Sequence, residues 1–140
     1  MKKLNNIYQL LIFSILLLGC NEKIQITKKL ILDNPELKIE ISLGTIEYKI
    51  IDESEHTFLK GQIRLLNKSN DVVKYNINNV YLVLNNVYGK IYIDSIASHL
   101  ITEKELSRNS EFVEDVYWAF DFKLVLEDLD NLQIIYKVKG

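Results

Sequence analysis

Few side chains in this 140-residue chain are equipped for covalent chemistry. Cys20 is the only cysteine, and a lone cysteine in an exported chain ordinarily means a reactive thiol or an intermolecular disulfide. The two histidines, His56 and His99, stand far apart and belong to no HExxH or CxxC spacing, whereas zinc is commonly held by several His or Cys ligands. His56 follows Asp52, Glu53 and Glu55, which would let carboxylates assist a metal, but such a polar cluster between apolar runs reads as a solvated turn. His99 follows Ser95 and Ser98. Neither serine lies in a GxSxG or SxxK motif, and the members of a triad meet by folding rather than by adjacency.

Carboxylates offer little more. Glu114 and Asp121 are a conceivable acid–base pair for glycoside chemistry, which is decided by the separation of two carboxyl groups. Seven residues apart in an alternating segment, they face opposite sides of one strand. Glu127, Asp128, Asp130 and Asn131 are rich in oxygen ligands but lack the DxDxDG order and closing glutamate of a calcium loop. They read as an exposed acidic bend. The expectation is therefore a non-enzymatic protein with no catalytic residues, no metal and no cofactor. The least ordinary surface feature is a set of tyrosines, Tyr81, Tyr88, Tyr92 and Tyr117, at positions opposite the main apolar ones. Tyrosine suits interfaces because a large apolar body carries a polar tip, so these four form a possible binding surface, with burial under a second sheet as the competing reading.

The context of Cys20 is specific. Residues 1–20 read MKKLNNIYQLLIFSILLLGC: Lys2 and Lys3, an apolar run from Leu10 to Leu18 broken only by Ser14, then Leu17-Leu18-Gly19-Cys20. A charged start, an apolar middle too short to span a membrane and a small residue before the cut make a secretory signal. The last four residues resemble the lipobox of bacterial lipoproteins. That resemblance implies cleavage between Gly19 and Cys20, a diacylglycerol on the Cys20 sulfur and an acylated amine. Stable anchoring takes about two lipid chains, so the implied partner of Cys20 is the membrane itself. Asn21, rather than Asp, follows the cysteine; by the sorting pattern of enteric lipoproteins this favours the outer membrane, facing the periplasm, in a Gram-negative cell.

Removing residues 1–19 leaves 121 residues, enough for one domain. Lys2 and Lys3 leave with the signal, so 15 basic and 19 acidic side chains remain, a net charge of −4. That balance gives no support for nucleic-acid binding or for electrostatic docking on anionic lipid. Abundant Ile, Leu, Val and Tyr with little Ala favour strands.

The elements that must position these residues are strands. Residues 20–36 form the lipidated N-terminus and a tether, with a short strand expected within 24–32, and the folded domain is expected over 37–140. Leu37, Ile39, Ile41 and Leu43 alternate with polar residues, Gly44 interrupts as a bulge or turn, and Ile46, Tyr48 and Ile50 resume. Further alternation follows at Leu59–Leu65 and Val73–Ile77. Val80–Leu84 and Val87–Ile93 read as a hairpin joined by Asn85-Asn86 in a primed turn, with Gly89-Lys90 competing. Residues 102–106 suit a helical turn or a loop. Phe112–Phe122 carries Trp118 as a core anchor, and Leu132–Val138 ends the set. Seven or eight short strands at such spacing predict an all-β, antiparallel two-sheet sandwich. Phe58–Tyr136, through Gln62–Asn70 and Val116–Phe120, loosely resembles small immunoglobulin-like domains of bacterial lipoproteins, a likeness that implies a fold and no functional residues.

The functional expectation is a lipid-anchored cell-envelope protein that binds a protein or another envelope component. An immunity or inhibitor lipoprotein acting against a toxin or lytic enzyme is the alternative, and an envelope hydrolase is a third.

Overall fold

The computed structural model describes residues 21–93 and 104–137, which are mostly antiparallel β. Strands β1 (Asn21–Asp33), β2 (Leu37–Ile51) and β3 (Ser54–Asn67) form a long meander. Then come β4 (Val73–Tyr75), β5 (Val80–Leu84), β6 (Val87–Ile93), β7 (Lys104–Leu106), β8 (Glu111–Phe120) and β9 (Gln133–Tyr136). Seven strands share one sheet in the order β1-β2-β3-β8-β6-β5-β9, and β4 pairs with β7 in a two-stranded sheet. The strand spacing predicted two facing sheets; instead one sheet curls until its outer strands β1 and β9 touch. Curling is the way a single sheet with one apolar face covers that face by itself.

The alternation in the sequence decides which face is inside. Leu37, Ile39, Ile41 and Leu43 of β2 meet Leu59, Ile63 and Leu65 of β3 and Val116, Trp118 and Phe120 of β8 in the buried core. Trp118 is 0% exposed, and its indole N–H donates to the Val80 carbonyl at 3.4 Å. Gly44 does not end the strand. It lies at a bulge between Leu43 and Thr45, so Ile46 returns to the core and β2 runs on to Ile51. The extra residue restores the inward phase that a break in period two would otherwise lose.

Both two-residue hairpins use the left-handed region. Asp52 and Glu53 (φ 49° and 66°) join β2 to β3, and Asn85 and Asn86 (φ 49° and 68°) join β5 to β6, the geometry of a primed turn. Gly89 lies inside β6, where any side chain would collide with the Phe120 ring. The segment expected as a tether carries β1 over 21–33, longer than the strand expected within 24–32 and paired with β2 from Asn21↔Lys49 to Asp33↔Lys38. Residues 104–106 are extended and pair with β4 rather than forming a helical turn.

The two open ends of the curled sheet are filled differently. At one end the chain leaving β8 crosses back, burying Leu124, and a short 3₁₀ segment, Leu126–Asn131, buries Leu129 and delivers β9. Buried Thr57 ties this crossover down: its hydroxyl donates to the Phe122 carbonyl (2.7 Å) and accepts from the Leu124 N–H (2.9 Å). The Tyr48 hydroxyl donates to the Leu124 carbonyl at 2.5 Å. At the other end buried Asn67 donates from Nδ2 to the carbonyls of Asp71 (2.7 Å) and Leu106 (2.9 Å), while its Oδ1 accepts from the Ser69 N–H (2.9 Å). A single amide thus joins β3, the following turn and β7.

Gly61 of β3 sits opposite Leu43 beside the bulge, and a Cβ there would fall 2.1 Å from the Ser42 carbonyl oxygen. A Cβ at Gly44 meets nothing within 4 Å. Gly61→Ala is therefore expected to destabilise the fold by about 1–3 kcal/mol, as overpacking does. Gly44→Ala should change it by less than about 0.5 kcal/mol. Urea unfolding of both variants checks the contrast, and equal midpoints would refute the close approach at Gly61.

Candidate functional site

The outer face of the sheet is where unused chemistry collects. Two cross-strand rows traverse it. In one, Glu47 of β2 lies opposite Phe58 of β3, Phe58 opposite Ala119 of β8, and Ala119 opposite Lys90 of β6. In the next, Lys60 lies opposite Tyr117, and Tyr117 opposite Tyr92. Directly opposed side chains on one face are near enough to interact. The Tyr92 and Tyr117 rings stack with centroids 5.0 Å apart and an interplanar angle of 12°, and Phe58 meets Tyr117 edge-on at 5.8 Å.

Tyr81 of β5 and Tyr88 of β6 form a second pair, edge to face at 5.3 Å. The Lys137 ammonium lies 4.2 Å from the Tyr88 centroid and 5.5 Å from that of Tyr81, within the range of cation–π attraction. Tyr81 and Tyr92 border one shallow depression, of about 220 Å³, with Asn78 and Lys90 between them. The structure thus places all four sequence-predicted tyrosines on the outward face, as two ring pairs. None is buried, and Tyr88 is the most exposed of the four.

Beneath this aromatic band lies a buried charge. Glu47 is 4% exposed although its side chain belongs to the outer face. Lys60 Nζ stands 2.8 Å from its Oε2 and Lys49 Nζ 3.4 Å from its Oε1. The Lys60 ammonium is the nearer of the two, and it holds Oε2 by close polar contact as well as by charge. Burial pushes the Glu47 carboxyl up, but Lys60 and Lys49 together outweigh it and hold the group below the ordinary value of 4.5. Lys49 also lies 5.1 Å from the Phe58 centroid, so one lysine serves both the carboxylate and a ring.

Phe58, Lys49, Lys60 and Lys137 were not distinguished by the sequence. The available signal was an aromatic residue, Phe58, at a polar-face position of an alternating strand; which lysines would border it depends on long-range register.

The remaining candidates separate. Cys20 and Gly19, the expected lipidation and cleavage residues, lie outside the described residues, as do His99, Ser95 and Ser98. His56 Nδ1 pairs with Asp121 at 3.3 Å, not with the carboxylates that precede it in sequence. Glu114 is half-buried on the inner side of β8, and Asp121 is exposed beyond the strand's end. Asp128 caps the 3₁₀ turn by accepting from the Val125 N–H (3.0 Å), and Asp130 pairs with Lys28 of β1 at 3.5 Å. Among the described residues, no group of three or more His, Cys, Asp or Glu is placed to hold a metal ion. No protein-family model matches this chain, and none of the curated proteins or solved structures compared with it is significantly similar.

A carboxylate depressed in the folded state contributes stability above its unfolded value and loses that contribution as pH falls through the folded one. The stability difference between the wild type and Glu47→Gln should therefore be larger well above the ordinary glutamate value of 4.5 than well below it. Denaturant midpoints measured on both sides test this, and a pH-independent difference would show that the Glu47 charge is not what its lysines stabilise.

Proposed function

We propose that this protein is a lipid-anchored, non-enzymatic component of the bacterial cell envelope, held at the membrane through Cys20, that binds a protein partner with the outer face of its curled sheet. The observation that carries this reading is the clustering of Tyr81, Tyr88, Tyr92 and Tyr117 on that face, interleaved with Lys60, Lys90 and Lys137. Strand alternation would have allowed these rings to be covered by a second sheet; instead they stand outward, half-buried or exposed. Half-buried tyrosines lose little conformational freedom on docking, offer apolar area, and keep a hydroxyl at the rim. Interface hot spots are enriched in such residues. In a Gram-negative cell the proposed location is the outer membrane, with the domain in the periplasm.

The test is capture of the partner from living cells. The full chain, tagged at its C-terminus in its native host, is crosslinked in place and purified, and bound proteins are identified by mass spectrometry beside a Cys20→Ala control. Losing a hot-spot side chain costs about 2 kcal/mol or more, so Tyr92→Ser/Tyr117→Ser should lower recovery of the partner roughly tenfold or more. Its circular dichroism should be unchanged. Undiminished recovery with the double variant would remove the tyrosine face from the interaction, and no reproducible partner would remove the binding role.

A further inference from the structure

The chain has an end that suits a lipid surface. Among the described residues nine large apolar side chains are exposed, and six of them gather at one end of the sheet: Ile50, Ile51, Val87, Tyr88, Val125 and Leu126. Ile50 and Ile51 precede the β2–β3 turn, Val87 and Tyr88 follow the β5–β6 turn, and Val125 and Leu126 lie on the crossover that leaves β8. Register brings these tips side by side, since Ile51 pairs with Ser54, Thr57 with Phe120 and Lys90 with Ala119. Ile31, Val72 and Val113, the other three, stand singly toward the opposite end, where Leu37 pairs with Asn67.

β1 begins at this same apolar end, because Asn21 pairs with Lys49. Asn21 is the residue after Cys20, and consecutive Cα atoms are about 3.8 Å apart. No length of free chain separates the expected lipid attachment from the sheet. We infer that this end of the domain, through Ile50, Ile51, Val125 and Leu126, rests on the surface of the bilayer that holds the Cys20 lipid. The inference rests on the lipidation reading above.

Clustered exposed apolar residues mark contact surfaces, and side chains of this kind settle at the headgroup–acyl boundary. Tyr48, with Lys123 5.2 Å from its ring centroid, stands beside them, and tyrosine is favoured at that boundary. Asp52, Glu53, Glu55 and Glu127 share this end with Lys49 and Lys123. The contact is therefore apolar and suits zwitterionic lipid rather than an anionic surface.

Cys20 is the only native cysteine, so once it is lipidated an introduced cysteine is the sole free thiol. Leu126→Cys at the apolar end and Val72→Cys at the far end both replace exposed side chains (49% and 56%); Ile50→Cys is a second probe should Leu126→Cys fold poorly. Each full-length variant is expressed in the native host, and mass spectrometry of its N-terminal peptide reports the lipid. It is then labelled with NBD and reconstituted into phosphatidylcholine–phosphatidylethanolamine vesicles, with and without a quencher on the acyl chains. The expected result is lipid on Cys20, a shift of NBD emission to shorter wavelength with quenching at position 126 or 50, and neither change at position 72. Lipid on Cys20 with water-like emission at all positions would overturn the docking alone. No lipid on Cys20 would overturn the anchoring reading and this inference with it.

Discussion

A sheet with one apolar face must cover that face, and among the described residues there is no second layer large enough to cover it. Among the described residues no layer of helices lies against the seven strands; the helical pieces there are two short 3₁₀ segments, Ile77–Asn79 and Leu126–Asn131. The sheet therefore closes on itself around Trp118, and much of the remaining architecture follows from the two openings this leaves. One is filled by Leu124 and Leu129 on the β8–β9 crossover, the other by Tyr75, Ile77 and Leu106 from the β4–β7 region. The polar groups that are buried in doing so are satisfied at the same places: Thr57 secures the first closure and Asn67 the second. Buried donors and acceptors left without partners would cost more than the bonds contribute, and these two side chains tie down the segments that close the openings.

Because the inner face is committed to the core, the outer face is free to carry other residues, and alternation places them. Each strand that contributes a core residue also contributes an outward one: Leu59 brings Phe58 and Lys60, Trp118 brings Tyr117, Ile91 brings Lys90 and Tyr92. The register that aligns the core thus aligns the rings and lysines without further constraint. Glu47 is the exception to the division between faces. Its two lysines let a charge sit beneath the aromatic band, where an unpaired carboxylate would resist burial.

Local features were legible in the sequence where they rest on local physics. Period two over 37–43 marks a half-buried strand, Asn85-Asn86 adopts the positive φ of a primed turn, and Trp118 lies in the core. The outward tyrosines were visible as aromatic residues in the polar phase, but their pairing as Tyr81–Tyr88 and Tyr92–Tyr117 was not, since it depends on β5, β6 and β8 lying side by side. That seven of the strands share a single sheet was hidden for the same reason: hydrogen bonding between β6 and β8 is what makes those strands continuous, and no spacing rule reports it. The full length of β1 is masked in the sequence because a bulge between Gln25 and Lys28 breaks its alternation while its pairing with β2 continues. His56 found Asp121, sixty-five positions away, although Asp52, Glu53 and Glu55 stand beside it in sequence.

The first strand has a mechanical consequence. β1 starts at Asn21 and is laddered to β2 as far as Asp33, and the hydrogen bonds of an antiparallel ladder run perpendicular to the strands. A pull on the chain at Cys20, directed away from the domain and resisted at its far end, acts along β1 and across every one of those bonds together. The ladder is loaded in shear, with all its rungs sharing the force, rather than peeled open one rung at a time. A domain attached in this way can transmit tension between its attachment point and whatever holds its other end before it yields.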